Sequence, residues 1–218
     1  LVKYAVTNVE RCRSEIIVRV NAADTPLFLF NVTMQNHSSY SDWADYDNFS
    51  PDITVEGSDS KLLPAYLSLI RLSDSAIQNL VSYFEAQEEP TMIVFFGDHQ
   101  PAESVVRPVW KLNGKDDADL TDEEEALRYK VPFFIWANFD IEAESDLEIS
   151  ANYLAAKTLD AAGLPKSAYD NFLSQLRTEV PVISANHVTL SDGTFTTASK
   201  QKDLLYDYQT LQYYLLFD

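Results

Sequence analysis

Two short apolar runs, each followed by polar residues that include a histidine, organise the hydrophobic pattern of this chain. Residues 92–96 are five apolar residues in succession, and Asp98 and His99 lie just past their end. Residues 27–33 form a second, largely apolar run, and the polar loop after it contains His37. Apolar runs of this length indicate strands buried on both faces of a sheet. The pattern therefore predicts two buried strands, each leading into a loop with a histidine.

Apolar residues at helical spacing lie before and between these runs. Residues 1–22 predict a helix or helical turn, and residues 61–84 predict a longer helical segment with two apolar stripes. Ser73 and Asp74 separate the stripes, which favours a helix break or a new helix start at that point. A helix followed by the strand at 92–96 is half of a parallel crossover unit. An α/β fold with a mostly parallel sheet is the prediction.

The second half of the chain adds several elements to this prediction. Thr121 and Glu124 fit a capping box for a short helix, and Asp192 with Gly193 fits the tight turn of a hairpin. The other predicted elements are a third buried strand over residues 131–137, helices over 149–162 and 169–177, a short strand at 182–183, the hairpin over 188–197 and a C-terminal helix over 204–217. The chain has no internal repeat or linker, so residues 1–218 are predicted to form one domain or part of one.

The amino-acid composition excludes several classes of binding partner and structural feature. Thirty-four acidic residues against 16 basic ones give a formal net charge of −18. Nucleic acids and anionic membrane surfaces need clustered Lys and Arg, so neither is the expected partner of this segment. The single cysteine, Cys12, excludes an internal disulfide framework. No run of 18 apolar residues is present, so no membrane-spanning segment is predicted within the chain.

The pair Asp98 and His99 has the chemistry of a metal site. A carboxylate oxygen and an imidazole nitrogen suit Mn²⁺, Zn²⁺ or Mg²⁺ with water. Adjacent strand residues point to opposite faces, so both can face one ion only where the strand has ended. Gly97 is expected to supply the freedom to turn there. The alternative is an Asp that caps a helix and a His packed near the surface, and spacing alone leaves both open.

His37 is the second candidate. A parallel sheet would bring its loop to the same edge as His99, because ligands bind outside the carboxyl ends of parallel strands. The alternative is a loop histidine with a purely structural role. Gln35 and Asn36 either donate hydrogen bonds to an anionic substrate or close the turn. His187 is interpreted as structural.

Together, these motifs resemble those of a known enzyme family. Residues 96–101 and 30–37 are similar to two motifs of the lipoteichoic acid synthase type of membrane phosphoglycerol transferase. That family belongs to the sulfatase branch of the alkaline phosphatase superfamily. Residues 131–138, 149–154 and 208–213 match in the same order, so the resemblance covers most of the chain.

The resemblance implies a fold and a reaction. The fold is an α/β/α sandwich of the alkaline phosphatase and sulfatase type, with a C-terminal hairpin and helix. Asp98 and His99 would be two of four protein ligands of a catalytic Mn²⁺, with Mg²⁺ or Zn²⁺ possible, and His37 would contact the phosphate or glycerol of the substrate. A threonine nucleophile attacks phosphatidylglycerol, diacylglycerol leaves, and a glycerol-type polymer acceptor takes the glycerophosphate from the threonine, as in lipoteichoic acid synthesis.

The chain departs from the family at its beginning. In the family, the nucleophilic threonine and a metal-binding glutamate lie well upstream of the His37 motif, and Thr7 and Thr25 lack the setting of a nucleophile. The transmembrane helices that anchor the family are also absent. We therefore expect residues 1–218 to be the C-terminal portion of a single sulfatase-like catalytic domain, with a partial site and no activity alone. The full-length protein is expected at the extracellular face of the bacterial cell membrane.

Three rival functions are weighed against this expectation. A sulfatase carries a Cys/Ser-x-Pro-x-Arg motif, and the residues after Cys12 contain neither the Pro nor the Arg at the required positions. A phosphoethanolamine transferase shares the same fold. The third is a non-catalytic interaction domain that kept the fold and lost the site.

Overall fold

Helices and short sheets alternate along the chain, as in an α/β protein. The computed structural model describes residues 5–6, 9–38, 40, 50–184 and 186–217. The helices are α1 (Val9–Asn21), α2 (Leu62–Glu85), α3 (Glu103–Leu112), α4 (Asp122–Ala126), α5 (Leu154–Ala161), α6 (Ala168–Glu179) and α7 (Lys202–Phe217). The strands are β1 (Ala5–Val6), β2 (Val32–Thr33), β3 (Met92–Phe96), β4 (Phe133–Ala137), β5 (Val182–Ile183), β6 (Val188–Thr189) and β7 (Phe195–Thr196).

The chain divides into two compact units. The first unit comprises Leu1–Thr91 and His99–Leu120, and the second comprises Met92–Asp98 and Thr121–Asp218. In the first unit, α2 packs against both α1 and α3, and β1 pairs with β2 in parallel. Its core is formed by Tyr40, Leu63, Ala65, Leu69 and Val105. No helix in the described part of the chain has both the length and the apolar character needed to cross a bilayer.

Helix α2 runs without interruption past the point where a break was predicted. It spans Leu62–Glu85 as 24 continuous residues. Ser73 does not start a new helix, because its hydroxyl lies 3.2 Å from the Leu69 carbonyl oxygen of the preceding turn. A serine bonded back in this way is compatible with a helix interior. Asp74 is exposed and caps no helix end. The predicted break was wrong.

The strand predicted over residues 27–33 forms only in part. β2 contains Val32 and Thr33, and the residues before it have no regular secondary structure. Leu27 is 50% exposed and Phe28 is 78% exposed, so this segment is not buried. The extent of the pairing fits this difference, because within the described part of the chain β1 pairs with β2 over two residues only. An extended segment without a neighbouring strand has no ladder of hydrogen bonds to hold it.

The second unit contains the main sheet pair, and this pair is antiparallel. β3 pairs with β4 over five residues, from Met92 opposite Ala137 to Phe96 opposite Phe133. β5, β6 and β7 also pair in antiparallel order, so among the described strands only β1 and β2 are parallel. The prediction of a mostly parallel sheet was therefore wrong for these strands. Residues 97–132 leave the end of β3 and return to the same end at β4, so they do not form a crossover.

Most other predicted elements of the second unit are present. The capping box of Thr121 and Glu124 begins α4, the hairpin of β6 and β7 encloses Gly193, and α7 is the C-terminal helix. The core of this unit consists of Tyr153, Ala156, Leu173, Leu176, Val180, Val188, Leu205 and Tyr208. The Tyr153 hydroxyl donates a hydrogen bond of 2.8 Å to the Val180 carbonyl oxygen within this core. The assignment of residues 1–218 to one domain stays a prediction.

Candidate functional site

The end of β3 is fixed by close approach to the chain that leads into β4. The Gly97 N–H donates to the Pro132 carbonyl oxygen at 3.0 Å. A Cβ on Gly97 would lie 3.1 Å from the Val131 Cβ, which is closer than side chains normally pack. Gly97 does not adopt the left-handed backbone conformation. The glycine is therefore needed for space, and the predicted need for turning freedom was wrong.

The candidate metal-binding pair follows this glycine directly. Asp98 and His99 are both exposed. The His99 Nδ1 atom lies 2.7 Å from the Gln100 carbonyl oxygen. A carbonyl oxygen only accepts hydrogen bonds, so Nδ1 carries the proton and Nε2 of the neutral ring holds the lone pair. Metal-binding histidines are commonly oriented in this way, with one nitrogen bonded to a backbone carbonyl.

His37 uses the same backbone arrangement. Its Nδ1 atom lies 2.7 Å from the Ser38 carbonyl oxygen, which assigns the proton to Nδ1 and the lone pair to Nε2. The His37 N–H donates to the Met34 carbonyl oxygen at 3.1 Å and closes a tight turn. The ring itself is exposed.

The first unit brings His37 and His99 together. Their ring centroids are 6.2 Å apart and their planes meet at 80°, an edge-to-face arrangement. The two residues come from loops that are far apart in the chain. Two exposed imidazoles at this distance, each with a lone pair on Nε2, can accept hydrogen bonds from the hydroxyl groups of a single small ligand, which makes the pair the candidate functional site.

The residues before His37 attach its loop to α2. Gln35 is 4% exposed and its amide nitrogen lies 3.5 Å from the Leu69 carbonyl oxygen. The Asn36 amide donates a 2.9 Å hydrogen bond to the Ser73 hydroxyl. Of the two roles left open for Gln35 and Asn36, these contacts match closure of the loop.

Asp98 and His99 supply the donor types of a metal site without completing one. No group of three or more His, Cys, Asp or Glu side chains able to hold an ion occurs among the described residues. Asp98 offers a carboxylate and His99 an unprotonated Nε2, and these donors fit Mn²⁺, Mg²⁺ or Zn²⁺ in type.

The remaining candidates have structural roles or lie outside the described residues. The His187 ring stacks on Phe195 at 4.5 Å between centroids, in agreement with its structural interpretation. Burial raises the pKa of the Cys12 thiol, which disfavours the reactive thiolate. Thr25 is exposed, and Thr7 lies outside the described residues.

The second unit contains a groove with a volume of about 700 Å³. Its apolar side includes Phe133 and Ile135 of β4, and its rim includes Glu144, which forms an ion pair with Lys157. None of the predicted site residues lines this groove. It has the shape of a cleft without an assembled set of reactive groups.

Comparison with known proteins assigns the chain to a family. The sequence model of the sulfatase family matches residues 10–164, which is more than half of the chain. The chain belongs to the sulfatase family. The predicted resemblance to the sulfatase branch is thereby confirmed.

Two relatives of this sulfatase-family chain extend the assignment. A protein of Rhizobium meliloti (strain 1021), named for cyclic beta-1,2-glucan modification, is 24% identical over 219 residues, which cover 95% of this chain and 34% of the relative. The solved structure of Streptococcus pyogenes phosphoglycerol transferase GacH in complex with sn-glycerol-1-phosphate aligns with a TM-score of 0.64 at 20% identity.

The GacH alignment covers 94% of this chain and 48% of the GacH chain. The chain thus spans about a third of the curated relative and about half of the solved structure. At this identity the structural likeness shows the fold, and the predicted sulfatase-like α/β fold, present in part, is confirmed.

Ser73 was not among the residues predicted to contact the His37 loop. Ser73 lies four residues after Leu69 and three before Ala76, and both of these are buried. Helical spacing therefore places Ser73 on the buried face of α2. A polar residue on a buried helical face is a signal that it has a hydrogen-bond partner.

Proposed function

We propose that this chain is part of a metal-dependent phosphoglycerol transferase. The reaction moves a glycerophosphate group from phosphatidylglycerol to a glycerol-type acceptor of a cell-envelope polymer. The observation that carries this proposal is the edge-to-face pair of His37 and His99 at 6.2 Å. Membership of the sulfatase family and the fold shared with a phosphoglycerol transferase support it.

In this proposal Asp98 and His99 bind Mn²⁺, and Mg²⁺ or Zn²⁺ could take its place. The backbone contact of His99 Nδ1 leaves the lone pair on Nε2, which is the atom that would bind the ion. When bound, the ion supplies charge that polarises a phosphoryl oxygen and lowers the pKa of the nucleophile. The ligands beyond these two and the nucleophilic threonine are assigned to residues outside this chain.

His37 has a binding role in the proposal. Its neutral ring presents Nε2 as an acceptor, which suits a hydroxyl group of the glycerol moiety. When protonated, the same ring donates from Nε2 and suits a phosphate oxygen. In both forms His37 orients the substrate next to His99, and its backbone contact through Nδ1 is unchanged.

The lipid donor places the full-length protein at a bilayer. We propose the extracellular face of the bacterial cell membrane, anchored by helices that are not part of this chain. The formal charge of −18 makes the chain itself a poor ligand for anionic lipids, so membrane attachment is assigned to the anchor.

A carbohydrate hydroxyl is the second candidate acceptor. The relative named for cyclic beta-1,2-glucan modification matches 95% of this chain, which makes a cyclic glucan the carbohydrate to test. The transfer chemistry is the same, since either acceptor attacks phosphorus through a hydroxyl oxygen. Product analysis with both acceptors, glycerol phosphate polymer and cyclic glucan, separates the two.

The decisive experiment measures transfer from labelled phosphatidylglycerol by the natural full-length protein and by its Asp98→Ala and His99→Ala variants. Each substitution is expected to lower turnover by at least about 100-fold, the scale measured for single electrostatic contributions to a transition state. Circular dichroism checks that the fold is retained.

Asp74→Ala is the matched control, because Asp74 is an exposed carboxylate on α2 outside the site. It is expected to keep full turnover. Near-normal transfer by Asp98→Ala or His99→Ala removes that residue from the proposed metal site. Release of sulfate from an aryl sulfate, with no transfer of glycerophosphate, favours a sulfatase instead.

A further inference from the structure

One buried hydroxyl on α2 is the contact point for the loop that carries His37. Ser73 is 8% exposed and lies in the interior of the helix. Its Oγ accepts a 2.9 Å hydrogen bond from the Asn36 amide nitrogen. The same Oγ lies 3.1 Å from the Asn36 side-chain oxygen and 3.2 Å from the Leu69 carbonyl oxygen. Its single proton can serve either of these two acceptors.

Asn36 is held at both its side chain and its backbone. The Tyr40 hydroxyl donates a 2.9 Å hydrogen bond to the Asn36 carbonyl oxygen, and Tyr40 is 2% exposed. Asn36 therefore joins α2 through Ser73 and the core of the first unit through Tyr40. Because His37 is the next residue, the direction in which its side chain leaves the backbone depends on these two contacts.

A serine is an unfavourable choice at this position unless its hydroxyl is used. Ser has a lower helix propensity than Ala, and a buried hydroxyl loses its contacts with water. Helix α2 uses another buried serine in the same manner, since Ser68 Oγ accepts from the Asp52 and Ile53 N–H groups at 3.2 Å each. Buried serines on α2 thus attach two separate polar segments to the helix.

We propose that Ser73 is a positioning residue for the candidate site. Through Asn36 it holds the His37 loop so that the His37 ring faces His99. This inference rests on the proposed function only in that His37 contacts the substrate. The arrangement of the two rings is a property of the chain itself and can be measured without turnover.

The first test measures the proximity of the two rings in the 218-residue chain by NMR. The nuclear Overhauser effect between ring protons of His37 and His99 is expected in the wild type and lost or strongly weakened in Ser73→Ala. Ser73→Thr keeps a hydroxyl and is expected to restore it. Asn36→Ala breaks the same contact from the loop side and reproduces the loss if Ser73→Ala does not fold.

Ser75→Ala is the matched control for this experiment. Ser75 lies on the same helix, is exposed, and bonds back to the Arg71 carbonyl oxygen at 3.0 Å without contacting the His37 loop. It is expected to leave the ring contact unchanged. A ring contact retained in both Ser73→Ala and Asn36→Ala overturns the positioning role.

The second test measures kcat and KM for phosphatidylglycerol in the natural full-length protein. Ser73→Ala is expected to lower kcat/KM by about tenfold or more, since small misplacements of a contact residue carry losses of up to about a hundredfold. Ser73→Thr is expected to recover most of it. If the ring contact is lost and kcat/KM is unchanged, the positioning role stands and the substrate role of His37 in the proposed function is wrong.

Discussion

At the scale of single residues, the choice of amino acids at positions 97–99 is constrained by close packing as well as by chemistry. Gly97 separates β3 from the Asp98 and His99 pair, and its lack of a side chain allows Val131 to approach. The residue before the proposed ligands is therefore fixed by packing within the second unit. A glycine in such a motif has two possible explanations: the backbone needs a positive φ angle, or a neighbouring residue lies too close for a side chain. The φ angle in the structure separates them.

Gly97→Ala tests the close approach. The added Cβ would lie 3.1 Å from the Val131 Cβ, so we expect the free energy of unfolding to fall by about 1–3 kcal/mol. Urea denaturation of both proteins measures the change. The double variant with Val131→Gly should show a favourable coupling energy, because it removes the atom that clashes. Additive effects of the two substitutions would show that the contact is not the cause.

The residue types of His37 and His99 show which donor and acceptor atoms they carry, but not which hydrogen bonds those atoms form. The side-chain types were readable directly, whereas the contact of each imidazole with the next backbone carbonyl depends on local backbone geometry. The same limit applies to Asn36, whose partner Ser73 lies 37 residues along the chain. Contacts over such separations depend on the fold and are not visible in local spacing.

At the scale of elements, continuous apolar runs were predictive where a partner strand exists. Residues 92–96 form β3 as expected, and the strand predicted over residues 131–137 forms as β4 from Phe133 to Ala137, because each strand pairs with the other along its full length. Residues 27–31 have a similar composition but no such partner among the described strands, and they stay irregular. Strand propensity depends on neighbours in this way. Neither apolar run indicated whether the two strands would pair in a parallel or an antiparallel direction.

The core of the second unit joins elements through a buried phenol. Tyr153 precedes α5 and donates its hydrogen bond to Val180 at the end of α6. Burial raises the pKa of the Tyr153 phenol far above its ordinary value, and burial also raises the pKa of Tyr208. Both phenols therefore stay protonated in the folded unit at pH values where they ionise in the unfolded chain.

This burial predicts a loss of stability at high pH. The pKa of an unfolded tyrosine is about 10, so below that pH ionisation of these phenols does not lower the free energy of unfolding. Above it the folded state keeps the Tyr153 proton that the unfolded chain has lost, and the free energy of unfolding falls by up to about 1.4 kcal/mol per pH unit through Tyr153. The raised pKa of Tyr208 adds to this fall. Tyr153→Phe should reduce this slope, and it should also cost about 1 kcal/mol at neutral pH through the lost hydrogen bond.

Urea denaturation between about pH 8 and 11 measures the slope. Tyr206→Phe serves as the control, because Tyr206 is 66% exposed on α7. It should leave the slope unchanged. An equal slope in Tyr153→Phe and the wild type would show that Tyr153 does not carry the pH dependence.

At the scale of the whole molecule, most of the chain matches the family model, whereas only part of the proposed metal site is expected within the chain. The sulfatase-family match extends over residues 10–164, and the chain spans about half of the solved GacH structure. The order of motifs in the sequence was enough to identify the family. Metal binding by Asp98 and His99 and substrate binding by His37 stay predictions.

A metal titration tests the proposed partial site. Two adjacent donors cannot fix a full coordination shell, so we expect the 218-residue chain to bind Mn²⁺ with a Kd above about 1 µM. Isothermal titration calorimetry measures this affinity, and His99→Ala should remove whatever binding remains. Sub-micromolar binding by the 218-residue chain would contradict the assignment of the missing ligands to other segments. The natural full-length protein is expected to bind the ion more tightly than the chain does.

The antiparallel pairing of β3 and β4 affects which segment of the chain can change in length. Residues 97–132 start and finish at the same paired end, where Gly97 bonds to Pro132. The ladder has already brought those ends together, and the entropy of closing a loop rises only slowly with its length. Insertions or deletions within residues 113–130, which follow α3 and its buried Val105, should therefore be tolerated by the strand pair. Such changes in length should leave Asp98 and His99 at the end of β3, because Gly97 stays bonded to Pro132.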